Sequence, residues 1–102
     1  MTRVKRMPLP TPGEHLAEFL DEMEITPYRL AKDIGVPATR IHAIIKAGRT
    51  ISPDTGLRLS KYFGQSDLFW IMLQAKYDTE MAQRENAKVL EKITPYKDAH
   101  AA

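Results

Sequence analysis

Among the side chains able to do chemistry in this 102-residue sequence, the cationic ones are densest and least balanced by acids in the middle of the chain. Residues 26–64 hold seven basic residues (Arg29, Lys32, Arg40, Lys46, Arg49, Arg58, Lys61) against Asp33 and Asp54, a balance of +5. Residues 1–25 carry −2 and residues 65–102 carry −1, so the net charge is only +2. A basic segment between two weakly acidic ones suits a polyanionic partner such as nucleic acid; a solvated basic face is the alternative. Catalysis fits poorly. The sequence has no cysteine, which excludes disulfides, thiol nucleophiles and thiolate metal sites. His15, His42 and His100 match no metal-ligand spacing. There is no nucleophile–base pair and no glycine-rich phosphate loop. No enzyme activity, metal or cofactor is expected.

Positioning such side chains takes rigid elements, and helix starts recur along the chain. Thr11 can cap, Pro12 suits a first helical position, and Glu14 follows three after the cap. Leu16, Phe19, Leu20 and Met23 then keep helical spacing, which predicts a helix over about 12–23. Thr26-Pro27 repeats the signal, with Leu30, Ala31 and Ile34 on one face and Gly35 as terminator, predicting 27–34. After Val36-Pro37, the residues Ile41, Ile44 and Ile45 mark a helix over 38–47, closed by Gly48. Ser52-Pro53 opens a fourth helix with Leu57, Leu59 and Phe63, ended by Gly64. Ser66-Asp67 opens a fifth, about 67–90, carrying Leu68, Phe69, Trp70, Met72, Leu73 and Tyr77.

Nothing alternates with period two, so no strand is expected. The reading is an all-α, five-helix domain over 11–92 with a longer C-terminal helix. A flexible basic arm over 1–10 precedes it, and a disordered tail over 93–102 follows. No apolar run is long enough to span a membrane, and Pro8, Pro10 and Pro12 interrupt the place where a signal peptide needs its apolar core. A cytoplasmic protein is expected.

Residues 27–46 satisfy the demands of a helix-turn-helix at fixed offsets. Ala31 is small where a second helix must cross. Leu30 and Ile34 flank it, Gly35 accepts positive φ, Val36 tucks under the turn, and Ile41 and Ile44 bury the second helix. An ordinary helical hairpin is the competing reading. As a recognition helix, 38–47 enters the major groove. Its expected DNA-facing residues are Pro37, Ala38, Thr39, Arg40, His42, Ala43 and Lys46. Arg40 suits bidentate contact with guanine, and Thr39 a base edge or thymine methyl. His42 suits a base acceptor or phosphate, or simply solvent. Thr26, Arg29, Lys46, Arg49 and Thr50 are placed to meet phosphates. One such module buries little DNA, so a two-fold dimer is the usual solution. The surplus apolar groups of the fifth helix are candidates for its interface, or for the core.

Three blocks carry a family resemblance: Thr11-Pro12-Gly13-Glu14 with Glu18-Phe19-Leu20, Arg49-Thr50-Ile51-Ser52-Pro53-Asp54-Thr55 with Leu57-Arg58-Leu59, and Phe69-Trp70 with Leu73-Gln74 and Tyr77-Asp78. With Tyr28-Arg29-Leu30-Ala31 and Ile34-Gly35-Val36-Pro37, they resemble the HigA antitoxins of the Xre/Cro/CI-like group over about residues 11–80. The resemblance implies a lambda-repressor-like fold, a homodimer that represses its own operon on double-stranded operator DNA, and a RelE-like (HigB-type) mRNA-cleaving toxin as partner. It assigns Phe69, Trp70, Leu73 and Tyr77 to the dimer interface or its support. No catalytic residue carries over. Two departures stand out: Gly56 inside the fourth helix, and Gln65-Ser66-Asp67-Leu68 before the fifth, where Ser66 still suits a cap. The acidic first helix, with Glu14, Glu18, Asp21, Glu22 and Glu24, is a candidate toxin surface or a solvated face. The competing functions are a stand-alone repressor without a toxin, and an interaction adaptor that has lost DNA binding.

Overall fold

Three helices begin on the same device, a hydroxyl cap followed by proline. Thr11, Thr26 and Ser52 sit in extended backbone, and their side-chain oxygens accept from the N–H of Glu14 (3.1 Å), Arg29 (3.0 Å) and Thr55 (3.3 Å). Pro12, Pro27 and Pro53 follow, where a missing N–H costs nothing. The computed structural model describes residues 8–99. It contains α1 (Pro12–Met23), α2 (Pro27–Ile34), α3 (Ala38–Ala47), α4 (Pro53–Phe63), α5 (Phe69–Glu85), α6 (Ala87–Glu91) and α7 (Tyr96–Ala99). There is no strand among the described residues. The first four helices keep the limits their sequence signals predict.

The C-terminal third differs in three ways. Ser66 does not cap α5; residues 66–68 form a turn, and α5 starts after Leu68 without a side-chain cap. The expected single helix over 67–90 is broken at Asn86, whose backbone leaves helical geometry at φ −114°. Its Nδ2 donates to the Ala82 carbonyl at 2.8 Å, beside its own backbone N–H at 2.9 Å. The expected tail over 93–102 contains the single turn α7, because Pro95 just before Tyr96 starts a helix as readily as it stops one. Residues 1–7 of the expected arm and 100–102 of the tail lie outside the described residues.

α3 packs on α1 and α2; α4 packs on α2 and α5; α5 also meets α1. The enclosed core holds Leu16, Leu20, Leu30, Ile34, Ile41, Ile44, Ile51, Leu59 and Trp70. Two close approaches explain two glycines. A β-carbon at Gly13 would fall on the Ile44 carbonyl, so α1 lies directly against the α3 backbone. A β-carbon at Gly56 would meet Ile71 Cγ1 at 3.3 Å, which brings α4 close to α5. Leu57 is exposed while Leu59 is buried. Two residues apart on a helix is about 200°, so those two leucines cannot share a face.

Trp70 has no exposed surface. Its ring packs against Phe19 (5.6 Å), Phe69 (5.3 Å) and Phe63 (6.2 Å), and its Nε1 donates to Gln65 Oε1 at 2.6 Å. This corrects the expectation of Trp70 at a dimer surface. The aromatic cluster between α1, α4 and α5 encloses it, so it supports the outer face of α5 from beneath.

Candidate nucleic-acid interface

The turn between α2 and α3 is built as the sequence demands. Gly35 takes φ 73°, a left-handed conformation that a side chain disfavours. Leu30, Ala31, Ile34, Val36, Ile41 and Ile44 are all buried, so α3 crosses α2 over the small Ala31. Burying Ile41 and Ile44 turns the opposite side of α3 outward. Pro37, Thr39, His42 and Lys46 are exposed there, and 39, 42 and 46 share one face by spacing. Arg40 and Ala43 are half-buried at its margin. Ala38 is half-buried as well. It lies three residues before Ile41 on the buried stripe and packs against the core. Arg49 and Thr50 are exposed beyond Gly48. Pro37 gives α3 no side-chain cap, which leaves the positive end of the helix open toward the same side.

The two acids of the basic segment are each held by arginine. Arg29 Nε donates to Asp33 Oδ2 at 2.8 Å, and the Tyr62 hydroxyl donates to the same oxygen at 2.7 Å. The Tyr62 bond, more than any other contact, holds the Asp33 carboxyl below its ordinary value; Arg29 adds to this and burial opposes it. The same bond raises the Tyr62 phenol, and Asp33 in turn raises Arg29. Arg29 keeps two-thirds of its side chain exposed. Thr26, expected at phosphate, uses its hydroxyl oxygen to cap α2.

Arg58 is different in kind from the other basic residues. Its Nη1 donates to the Ile34 carbonyl at 2.7 Å and its Nε to Asp54 Oδ1 at 3.1 Å. It satisfies an orphan carbonyl at the negative end of α2 and ties α4 to the turn. Charge counting assigned it to a polyanion; its geometry makes it a clamp. Arg40 Nη1 lies 3.9 Å from the other oxygen, Asp54 Oδ2. Lys32, Lys46, Arg49 and Lys61 are exposed and make no ion pair among the described residues.

On and just before α5, Leu68, Phe69, Met72 and Leu73 line an open groove of about 820 Å³. Tyr77 is half-buried beside Leu9, Pro10 and His15. Leu68 and Met72 are outward, 58% and 62% exposed, and Met72 is one of the surplus apolar groups that the sequence offers for an interface. The signal was present for Met72. It stands two residues from both Trp70 and Gln74, the buried edge of α5, and so on the opposite side. Gln74 Oε1 accepts from the Ile51 N–H at 2.9 Å while its Nε2 donates to Asp78 Oδ1 at 2.9 Å. It thereby joins α5 to the loop leaving α3.

No family model matches the chain. Virulence-associated protein I of Dichelobacter nodosus is 38% identical over 84 residues, covering 81% of this chain and 78% of that one. The solved structure of a HigA-family addiction module antidote protein from Coxiella burnetii matches at a TM-score of 0.81 and 41% identity, over 89% of this chain and 100% of that one. This chain belongs to the HigA family of antitoxins. The Pseudomonas aeruginosa antitoxin HigA, solved with the higBA promoter, matches at a TM-score of 0.79 and 38% identity, over 86% of this chain and 99% of that one. Relatives of this chain include an antitoxin HigA and helix-turn-helix transcriptional regulators. The HigA-like motifs acquire physical meaning from the fold. Gly13 permits the α1–α3 contact, Trp70 closes the aromatic cluster, and Gln74 with Asp78 fastens the loop at Ile51. No helix among the described residues is long and apolar enough to cross a membrane.

Proposed function

We propose that this chain is a cytoplasmic, dimeric, DNA-binding antitoxin that represses its own operon and neutralises a RelE-like mRNA-cleaving toxin. The outward face of α3 carries the reading. Thr39, His42 and Lys46 stand exposed on a helix whose other side is locked into the core, with Arg40 at its margin. The Pseudomonas relative solved with promoter DNA supports it at 38% identity. Thr39 and Arg40 read base edges. Lys46 and Arg49, with Arg29 and Thr26 at the start of α2, meet phosphates and set the register. Two copies paired through Leu68, Phe69, Met72 and Leu73 present two such helices to two half-sites, with Trp70 and Tyr77 as support. The acidic residues Glu14, Glu18, Asp21, Glu22 and Glu24 are all exposed on or just after α1 and suit a basic toxin.

Co-expression with the neighbouring toxin-sized reading frame tests this. Relief of growth arrest and recovery of both chains in one complex are expected. DNA binding without a neighbouring toxin would leave a stand-alone repressor. Absence of both activities would leave an adaptor.

A further inference from the structure

We propose that Asp54 is a specificity-determining residue that acts on DNA recognition through Arg40, holding its guanidinium in place while Arg58 anchors Asp54 to the helix-turn-helix. This rests on the reading of Arg40 as a base reader given above. The contacts run in one line. The Ile34 carbonyl accepts from Arg58 Nη1 at 2.7 Å, Arg58 Nε donates to Asp54 Oδ1 at 3.1 Å, and Asp54 Oδ2 faces Arg40 Nη1 at 3.9 Å. Each carboxylate oxygen thus faces one arginine. Arg58 is the fixed end, because it spans a helix-terminal carbonyl and the carboxylate with two edges of a planar fork. Arg40 is the mobile end. It engages Asp54 through a single nitrogen, which leaves the rest of its fork for a bidentate contact with guanine.

Asp54 has two opposite effects on DNA. It orders a long side chain before binding, which favours the base that Arg40 reads. It also places a negative charge beside the phosphate-facing surface, which weakens binding to every sequence alike. Removing the charge therefore separates the two effects. A residue that merely supported the fold would weaken operator and random DNA together.

The test uses the full chain, duplexes of its own upstream promoter, single-base-pair variants of that promoter, and a random duplex. Arg40→Ala is expected to abolish the preference at one base pair. Asp54→Asn, close in shape, is expected to reduce the preference at that same base pair by about twofold, within the range for a solvent-exposed ion pair longer than a hydrogen bond. It is expected to tighten random DNA binding by about twofold, and to change no base preference in an Arg40→Ala background. Arg58→Lys keeps the charge but not the fork, and is expected to lower the same preference, with no further loss when it is combined with Asp54→Asn. Asp54→Asn with that preference intact, or with operator and random DNA weakened equally, overturns the proposal. Arg40→Ala with every base preference intact overturns the Arg40 reading beneath it, a result distinct from the first two.

Discussion

Replacing Gly13 with alanine is expected to destabilise the domain and blunt operator recognition at the same time. The new β-carbon would fall far inside van der Waals contact of the Ile44 carbonyl oxygen, stand 2.7 Å from its carbon, and press on Ile44 Cγ2 at 3.3 Å. The first two are backbone atoms of α3 and cannot rotate away. The helices must part by about 1 Å or more to restore normal carbon–oxygen separation. Overpacking of this kind costs about 1–3 kcal/mol, and the better helix propensity of alanine returns at most about 1 kcal/mol. The net loss is about 1–2 kcal/mol, or a fall in Tm of about 5–15 °C for a domain of this size. Ile44 lies on the buried side of α3, so the displacement carries Thr39 and Arg40 with it. Operator affinity should fall more than affinity for random DNA. Thermal unfolding and duplex titration measure both. Gly56→Ala is the control, because its β-carbon meets only side-chain atoms, Ile71 Cγ1 at 3.3 Å and Trp70 Cβ at 3.5 Å. The half-buried Ile71 can yield, so the change there should stay within about 1 kcal/mol. A Gly13→Ala variant that gained stability, as an open helical position would, refutes the close α1–α3 packing.

Three further outcomes follow from the same structure. Glu24 ends α1 at φ 55°, so Glu24→Gly should raise the denaturant midpoint by an amount equivalent to about 1 kcal/mol; no gain would mean the left-handed cap is unstrained. The Ser60 hydroxyl is buried without a hydrogen-bond partner among the described residues, so Ser60→Ala should stabilise by about 1 kcal/mol in chemical unfolding, and a loss would reveal a partner. The Asp33 carboxyl is held below its ordinary value of 3.8, chiefly by Tyr62. Its contribution to stability is therefore present above that value and lost as pH falls through the lower, folded-state value. Tyr62→Phe should move the Asp33 titration, followed by carboxyl-carbon NMR, back toward the ordinary value and flatten the acid limb of stability. An unchanged titration would remove Tyr62 as the leading cause.

The first four helices are legible because their start and stop signals are local. Thr-Pro or Ser-Pro opens α1, α2 and α4, and Gly35, Gly48 and Gly64 close α2, α3 and α4. α5 lacks a hydroxyl cap at its start and a glycine at its end, where Asn86 leaves helical geometry, so its limits carry no local signal. The exposed positions Thr39, His42 and Lys46 follow from the buried Ile41 and Ile44 by helical spacing alone. Ala38 is half-buried, and a small residue there gives no polarity signal in either direction. Composition shows a surplus of apolar groups on α5 but not which are inside. Phe19 and Phe63, on other helices, decide that Trp70 is core. The roles of Arg58 and Gln74 depend on backbone groups more than twenty residues away, which no local pattern encodes.

The identity of α3 as a DNA-reading helix is tested most directly by one titration. The full chain is bound to its own upstream promoter and to a scrambled duplex of equal length across a salt series. The promoter should bind at least about 1,000-fold more tightly at physiological salt, with affinity for both duplexes falling steeply as salt rises. The preference should shrink in Arg40→Ala. Equal affinity for the two duplexes, or no binding to either at low salt, would contradict it.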